Sequence, residues 1–241
     1  TPGAERLFEA IEQSGRSFLV VTNNNSISVG EHAERLRGAG LPVEAENILS
    51  SAEVAAEFLK EEWKCSSVMV LGAKALREAL LEKGLNLTDE NPDCVAVGFD
   101  TELCYERLKA ACFEIERGCK WLATHPDVAM PSAEGFWPDC GAITAAISSC
   151  TGQEPDMVLG KPGKHMGRAA IRRSGFAAEQ VMMVGDRAET DVLLAKENGM
   201  SSTLVLTGAT DRKQARASGA ELIVDDLRQL AKLLLDNNIK G

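Results

Sequence analysis

The sequence predicts an α/β fold with parallel sheets. Short apolar runs, such as residues 17–21 and 181–184, have the length and composition of buried strands. Helical segments alternate with these runs, and this alternation is typical of parallel strands joined by right-handed crossovers. The length of 241 residues and the hydrophobic fraction of 44% allow a sizeable core.

The individual elements follow from the apolar runs and from residues that begin or end helices. Gly40 and Pro42 end the second helix, and Ser50 or Ser51 is placed to cap the third. Thr190 is the expected N-cap of the helix after residues 181–184. The predicted strands are residues 17–21, 68–71, 94–98, 120–123, 157–159, 181–184, 203–206 and 222–224. The predicted helices are residues 4–13, 31–39, 52–63, 75–83, 102–117, 142–150, 165–174, 190–198 and 226–235.

The strands and helices fall into two blocks, with joints near Lys64 and Asp156. A proline-rich stretch, residues 125–138, receives no predicted element. The chain has no tandem repeat and no low-complexity segment, so it reads as one large domain or two small ones.

The composition argues against nucleic acids and membranes as binding partners. The formal net charge of −10 and the absence of a Lys/Arg-rich run argue against binding to a nucleic-acid backbone. No apolar run approaches the roughly 18 residues of a membrane helix, and no signal peptide is visible, so no membrane partner is expected. The seven cysteines form no C-x-x-C pair, which favours small core residues in a reduced cytoplasm.

Two carboxylates follow the apolar run at 181–184, five residues apart. Ligands of open α/β sheets bind at the carboxyl ends of strands, and paired acidic oxygens there suit Mg²⁺. Asp186, at the strand tip, is placed for direct metal contact. Asp191, in the first helical turn, either holds a metal-bound water or orients Asp186 and Lys161. The simpler alternative is an Asp in the turn before a capped helix.

Two further strand ends carry polar groups. Thr22-Asn23-Asn24-Asn25 supplies backbone and side-chain donors that a phosphate needs, although a polar turn with an Asx cap has the same composition. Lys161 follows a short strand and lies between Gly160 and Pro162, so its ammonium group can reach a bound anion. The alternative for Lys161 is a solvated surface lysine.

The histidines and tryptophans give weaker signals. His125, in the segment Thr124-His125-Pro126-Asp127, is a candidate for substrate contact, but a histidine in such a turn is more often solvated. His32 and His165 read as ordinary helix residues. The three tryptophans fit a core or an interface better than a stacking platform.

Thr22, Lys161 and Asp186 each follow a strand, in that order, and this arrangement resembles the haloacid dehalogenase (HAD) superfamily of phosphohydrolases. Within it, the chain is similar to the branch of NagD, 4-nitrophenylphosphatase and chronophin. The resembling motifs are Thr22-Asn23-Asn24-Asn25, Cys140-Gly141-Ala142, Gly160-Lys161-Pro162, Gly185-Asp186-Arg187-Ala188-Glu189-Thr190-Asp191 and Leu206-Thr207-Gly208.

The resemblance implies a fold and a reaction. The fold is a Rossmann-like core with a parallel sheet, residues 1–63 and 156–241, and an inserted smaller α/β cap of C2 type, residues 64–155. The reaction is Mg²⁺-dependent dephosphorylation of small phosphorylated metabolites through an aspartyl-phosphate. The cap excludes water and selects the leaving group, and the resemblance also allows a homodimer.

Site roles carry over by motif. Thr22 and the backbone of Asn23 and Asn24 would hold the phosphoryl oxygens, and Lys161 would neutralise charge between phosphate and nucleophile. Asp186 would ligate Mg²⁺, with Asp191 in support through water or as a neighbour of the ligands. Candidate substrates include nucleoside monophosphates, sugar phosphates, phosphoglycolate and pyridoxal phosphate.

The chain departs from the family pattern at two places. The first family motif, D-x-D-G-[TV], which carries the nucleophile and general acid, is not found in the chain and is expected upstream of Thr1. His125 stands where relatives often carry Asn, in a T-N-P-D segment of the cap.

Two alternative functions remain open. One is a non-catalytic phosphate-binding module, a pseudophosphatase, and the other is a phosphotransferase with the same aspartyl-phosphate intermediate.

Overall fold

The computed structural model describes residues 2–236 and has an α/β fold with parallel sheets, which confirms the predicted class. Its helices are α1 (Ala4–Gln13), α2 (Val29–Gly38), α3 (Ser51–Glu61), α4 (Lys74–Glu82), α5 (Tyr105–Glu116), α6 (Cys140–Thr151), α7 (Lys164–Ser174), α8 (Leu193–Asn198), α9 (Arg212–Ser218) and α10 (Leu227–Leu235). Its strands are β1 (Val20–Thr22), β2 (Ile48–Ser50), β3 (Ser67–Leu71), β4 (Asn86–Leu87), β5 (Cys94–Val97), β6 (Lys120–Ala123), β7 (Ala129–Ser132), β8 (Gly135–Pro138), β9 (Met157–Val158), β10 (Met182–Gly185), β11 (Ser201–Val205) and β12 (Leu222–Val224).

The chain divides into two units. The first unit comprises the described residues of Thr1–Val20, His32–Ile48 and Lys161–Gly241. The second unit comprises Val21–Glu31 and Leu49–Gly160. Strands β1 and β2, which form a two-stranded sheet, contain the residues at which the division falls.

The first unit is built on a parallel sheet with the strand order β10-β11-β12. Helices α1 and α10 pack against each other, and Ala10 and Leu230 join Val205 and Val224 of the sheet in one apolar core. Asp226 begins α10 by accepting a hydrogen bond from the Gln229 N–H at 3.0 Å. This core supports the carboxyl end of β10, where the predicted carboxylates begin.

The second unit contains a five-stranded parallel sheet with the order β4-β3-β5-β6-β9. Helices α5 and α6 pack on this sheet, where Trp121, Ile115 and Ile147 are fully buried. Helix α3 begins with a reciprocal cap, because the Ser50 hydroxyl accepts from the Glu53 N–H while Glu53 accepts from the Ser50 N–H. Of the two serines predicted as caps, Ser50 is therefore the one that caps α3.

The unit bounds differ from the domain joints expected near Lys64 and Asp156. Helix α3 lies with the second unit because it packs against α4, so the division falls before the helix rather than after it. The core and cap assignment of residues 1–63, 64–155 and 156–241 stays a prediction.

Several local features differ from the predictions, and β2 and β4 also form strands where no strand was predicted. The proline-rich stretch forms an antiparallel hairpin of β7 and β8. Helix α9, which had no prediction, begins with a capping box of Asp211 and Gln214. Thr190 is not an N-cap, because it lies inside a π-helical turn, Ala188–Val192, that precedes α8. Between residues 2 and 236, no helix is both long enough and apolar enough to cross a bilayer.

Candidate functional site

Asp186 follows the last residue of β10 and is held by the turn after β11. Its Oδ2 accepts a hydrogen bond from the Ala209 N–H at 2.9 Å, and its carbonyl accepts from the Thr210 N–H at 3.1 Å. Within residues 2–236, Oδ1 has no hydrogen-bond partner. The carboxylate is therefore fixed through one oxygen while the other can bind a ligand.

Gly208 makes this contact with Asp186 possible. A Cβ added at Gly208 would lie 2.0 Å from Asp186 Oδ2, far inside van der Waals contact. The position requires a residue without a side chain because the backbone of the turn passes directly against the carboxylate. The sequence signal for this contact is the Leu206-Thr207-Gly208 motif.

Asp191 lies in the π-helical turn and is only 4% exposed. Its Oδ2 accepts from the Arg187 N–H at 3.1 Å, which closes the turn between the two predicted carboxylates. Gly185 lies against it, because a Cβ there would come within 2.1 Å of Asp191 Oδ2. A π-turn of this kind is rare and is often found at functional sites.

Lys161 and Asp191 form an ion pair across 30 residues of sequence. Lys161 Nζ lies 2.9 Å from Asp191 Oδ1, and the two side chains are 17% and 5% exposed. Since Asp191 is held in turn by Arg187, the ammonium group has a fixed position. Within the first unit, the structure thus brings Lys161 together with Asp191, whose π-turn follows Asp186.

The donor set of this unit fits a hard cation. Mg²⁺ is usually bound through one or two carboxylates, with waters and substrate phosphate completing its shell. Within residues 2–236, Asp186 Oδ1 has no protein partner and can bind a cation directly. Both oxygens of Asp191 are engaged, Oδ1 by Lys161 and Oδ2 by the Arg187 N–H, so this carboxylate suits a supporting contact better than a direct one. Within the described residues there is no group of three or more His, Cys, Asp or Glu side chains that could enclose a metal by themselves.

The turn after β1 belongs to the second unit. Thr22 Oγ1 accepts a hydrogen bond from the Asn24 N–H at 3.0 Å, and Asn24 Oδ1 accepts from the Ser26 N–H at 2.9 Å. Asn25 is fully buried and donates through Nδ2 to Thr124 Oγ1 at 2.8 Å. The turn is therefore an ordered loop that the Asn25 side chain connects to the end of β6. The sequence motif contains Asn25 but assigns it no separate role.

Asn23, which was predicted to bind phosphate, is held at both its backbone and its side chain. Its carbonyl accepts from Ser51 Oγ at 2.7 Å, and its Nδ2 donates to Asp127 Oδ2 at 2.9 Å. Its exposed fraction is 7%. Ser51 and Asp127 thus fix the backbone and the side chain of Asn23.

His125 is buried, with 1% of its surface exposed, so the expectation of a solvated turn histidine is wrong. It follows β6 and lies between two carboxylates, Asp127 and Asp139. Sequence reasoning assigned no function to either Asp. The available signals were the spacing of Asp127 from His125 and the position of Asp139 directly before α6, where an Asp is a common N-cap.

Comparison with protein families and solved structures gives consistent matches. Residues 1–86 match a family model described as haloacid dehalogenase-like hydrolase, and residues 158–230 match one described as HAD-hydrolase-like. The chain is 36% identical to dihydroxyacetone phosphatase of Corynebacterium glutamicum over 215 residues, which cover 89% of this chain and 78% of the relative. It is 32% identical to 5'-nucleotidase YutF of Bacillus subtilis, covering 88% of this chain and 84% of the relative.

Solved structures with the same fold include two phosphatases. The 4-nitrophenylphosphatase of Thermotoga maritima has a TM-score of 0.92 and 36% identity, covering 97% of this chain and 90% of the other. The glycerol phosphate phosphatase of Mycobacterium tuberculosis, in complex with calcium, has a TM-score of 0.88 and 31% identity. The match covers 97% of this chain and 71% of the other.

Proposed function

Because the chain belongs to the haloacid dehalogenase-like hydrolases, we propose that it is a Mg²⁺-dependent phosphomonoesterase of small phosphorylated metabolites. The reaction passes through an aspartyl-phosphate, which water then hydrolyses. The observation that carries this proposal is the buried ion pair of Lys161 and Asp191 in the turn that follows Asp186.

Lys161 acts as a fixed positive charge. In phosphoryl transfer the protein mainly positions the reactants and stabilises charge that spreads over the transferring oxygens. An ammonium group held at 2.9 Å by a buried carboxylate loses little freedom when an anion binds. The ion pair supports the proposal that Asp191 orients Lys161, which is one of the two supporting roles predicted for it.

Asp186 is the proposed protein ligand of Mg²⁺ through Oδ1, which none of the residues 2–236 engages. Asp191 is proposed to contribute through water or by orienting its neighbours. When bound, Mg²⁺ neutralises phosphate charge and orients the transferring group. Ala209 holds the other oxygen of Asp186, so the carboxylate is oriented before the metal arrives.

We propose that the turn after β1 binds the phosphoryl oxygens through Thr22 and the backbone N–H groups of Asn23 and Asn24. The Asn24 N–H donates to the Thr22 hydroxyl, so a bound oxygen would share or replace that acceptor. The contacts of Asn23 with Ser51 and Asp127 support this role because they hold the turn in one conformation.

We place the nucleophile and the general acid in a segment upstream of Thr1. The edges of β10 support this placement. One edge pairs with β11, and within residues 2–236 no strand pairs with the other edge. Unpaired N–H and C=O groups along an apolar parallel strand are costly, and a further parallel strand would satisfy them. Its carboxyl end would lie at the same edge of the sheet as Asp186.

The remaining expectations are part of the same proposal. Residues 64–155 form the cap of C2 type, which excludes water and selects the leaving group, and the enzyme works in the cytoplasm. All seven cysteines are free thiols, which suits a reducing compartment. A homodimer remains an expectation from the family alone.

Release of inorganic phosphate from a substrate panel tests the proposal. The panel contains dihydroxyacetone phosphate, a nucleoside monophosphate, a sugar phosphate and glycerol phosphate, each with Mg²⁺ and the complete natural chain. We expect release from at least one ester, at a rate that does not depend on an added alcohol acceptor. Binding of inorganic phosphate without any turnover would favour the non-catalytic module instead, and dependence on an acceptor would favour a phosphotransferase.

A further inference from the structure

His125 lies between two acidic side chains of the second unit. Its Nδ1 is 3.3 Å from Asp127 Oδ2, and its Nε2 is 3.5 Å from Asp139 Oδ1. The ring is 1% exposed, and within residues 2–236 neither ring nitrogen has a partner that meets hydrogen-bond geometry. Both nitrogens are therefore shielded from water and face a carboxylate.

This surrounding selects one form of the ring. A neutral imidazole has one N–H donor and one acceptor nitrogen, so its acceptor would face a carboxylate oxygen that is also an acceptor. The imidazolium ion carries a hydrogen at each nitrogen and presents positive charge to both carboxylates. Two carboxylates this close to the ring also stabilise a positive charge on it.

Each carboxylate oxygen that faces His125 has a second task. Asp127 Oδ2 accepts from Asn23 Nδ2 at 2.9 Å, and Asn23 belongs to the turn proposed to bind phosphate. Asp139 Oδ1 accepts a hydrogen bond at 2.7 Å from the N–H of Cys140, and Cys140 is the first residue of α6. The ring thus links the polar turn on one side to the start of a helix on the other.

Gly160 extends this link to the segment before Lys161. A Cβ added at Gly160 would lie 2.4 Å from His125 Cβ and 2.6 Å from Asn23 Oδ1. The backbone of Gly160 therefore packs directly on both side chains, and only glycine fits. A change in the position of His125 would disturb Asn23 and Gly160 together.

We propose that His125 is a positioning residue for phosphate binding: as an imidazolium ion it clamps Asp127 and Asp139 and so fixes the Asn23 side chain in the turn. The clamp acts on substrate binding rather than on the chemical step, because it touches the turn through Asp127 and no reacting group. This inference rests on the proposed function of the Thr22–Asn24 turn.

A double-mutant cycle tests the link to Asn23. In the complete enzyme with 4-nitrophenyl phosphate, we expect His125→Gln to raise KM about tenfold, because Asp127 loses the buried charge that faces it, and to change kcat less than about twofold. Asn23→Ala should raise KM similarly. Combined with Asn23→Ala, His125→Gln should add no further effect, because both act through one contact. Full additivity of the two KM effects, or a loss confined to kcat, would overturn the clamp.

Asp156→Asn is the matched control. Asp156 is a carboxylate of the same unit that accepts from the Trp121 N–H at 2.9 Å, away from the turn. We expect it to lower thermal stability without changing KM. A KM increase with Asp156→Asn equal to that of His125→Gln would mean that general destabilisation explains both, and the clamp would be wrong.

Nitrogen-15 NMR of the wild-type protein tests the clamp independently of turnover. The chain has three histidines, so His32→Gln and His165→Gln assign the His125 ring by elimination even if His125→Gln does not fold. We expect both His125 ring nitrogens to carry hydrogen, and Asp127→Asn to alter their shifts. A ring with one protonated nitrogen would overturn the clamp. If the enzyme shows no turnover, the phosphatase proposal fails but the clamp can still be tested with inorganic phosphate. A doubly protonated ring whose nitrogen shifts change on adding phosphate would support the clamp. A ring whose shifts do not change would overturn the clamp.

Discussion

Lys161 Nζ lies 2.9 Å from Asp191 Oδ1, although the two residues are 30 positions apart in the sequence. Asp191 is itself held by the Arg187 N–H inside a π-helical turn. The lysine charge is therefore positioned by a buried carboxylate that the rare turn geometry presents to it. The proposed chemistry depends on this relationship, since a mobile lysine would be a weaker partner for a transferring phosphoryl group.

Lys161→Ala should lower kcat by about 10²–10³-fold, because removing one preorganised charge has effects of this order. It should also destabilise the fold, since the buried Asp191 carboxylate loses its partner. Adding Asp191→Asn to this variant should recover part of the stability but none of the turnover. Steady-state kinetics and thermal unfolding of the three proteins check both expectations.

Lys164→Ala provides the control for Lys161. Lys164 lies three residues further along the chain with an exposed side chain, and its ion pair with Glu197 spans 3.6 Å on the surface. Exposed pairs contribute about 0–1 kcal/mol, so activity and stability should stay near wild type. Recovery of turnover along with stability in the Lys161/Asp191 double variant would show that the lysine acts on the fold alone.

Asp186→Asn should abolish the stimulation of turnover by Mg²⁺, because the amide removes the negative charge that a hard cation requires. Glu189→Gln is the control, since Glu189 lies on the exposed side of the same turn. Activity titrations with Mg²⁺ measure both variants. Substantial Mg²⁺-stimulated turnover in Asp186→Asn would remove this residue from the metal site.

Gly208→Ala should raise the Mg²⁺ concentration needed for half-maximal activity by about tenfold or more, the size of a disturbed ligand-supporting contact. The new methyl group would meet Asp186 Oδ2 at 2.0 Å and force the carboxylate or the turn to move. Gly38→Ala, in a helix where no atom lies within 4 Å of the added Cβ, should leave the titration unchanged. An unshifted Mg²⁺ titration for Gly208→Ala would mean that the carboxylate position does not matter.

Asp93 should support the second unit in a pH-dependent way. Hydrogen bonds from the Ser66 and Ser67 N–H groups, at 2.7 and 2.8 Å, hold the pKa of Asp93 below its usual range. Because the pKa is depressed in the folded state, the stabilisation is present above the unfolded pKa and is lost as pH falls through the folded value. Asp93→Asn should therefore lower the free energy of unfolding at pH 7, by roughly 1 kcal/mol for an exposed group.

The pH dependence of that difference is the diagnostic result. Denaturant unfolding should show the Asp93→Asn deficit at pH 7 and its disappearance in acid, where the wild-type carboxyl is also protonated. Asp89→Asn, an exposed neighbour in the same loop, is the control and should show no deficit at either pH. An Asp93→Asn deficit of equal size at both pH values would point to lost packing rather than lost charge.

Local sequence patterns predict the parts of the proposed site that follow strands. Asp186 and Lys161 follow short apolar runs, and polar residues at such positions have a recognisable meaning. The β7–β8 hairpin was missed because Pro131 and Pro138 argue against strands. The pairing is nevertheless tolerated since the hairpin is a separate two-stranded sheet.

The contacts that the sequence could not predict are those between distant residues. The spacing of Asp127, His125 and Asp139 does not reveal that both carboxylates face one buried ring. Thr190 met the composition rule for an N-cap, but the π-turn places it inside the helix, so the local rule failed where the backbone departs from regular geometry. Helix α9 had a usable signal in its Asp211–Gln214 capping box.

Hydrolysis of 4-nitrophenyl phosphate by the complete natural protein, first with Mg²⁺ and then with excess chelator, tests the central claim most directly. We predict turnover with Mg²⁺ that disappears with chelator and returns when Mg²⁺ is restored, because the proposal assigns Asp186 to Mg²⁺ and Lys161 to the phosphate. Turnover that persists in excess chelator, or no turnover with Mg²⁺ present, would contradict the assignment of a Mg²⁺-dependent phosphatase.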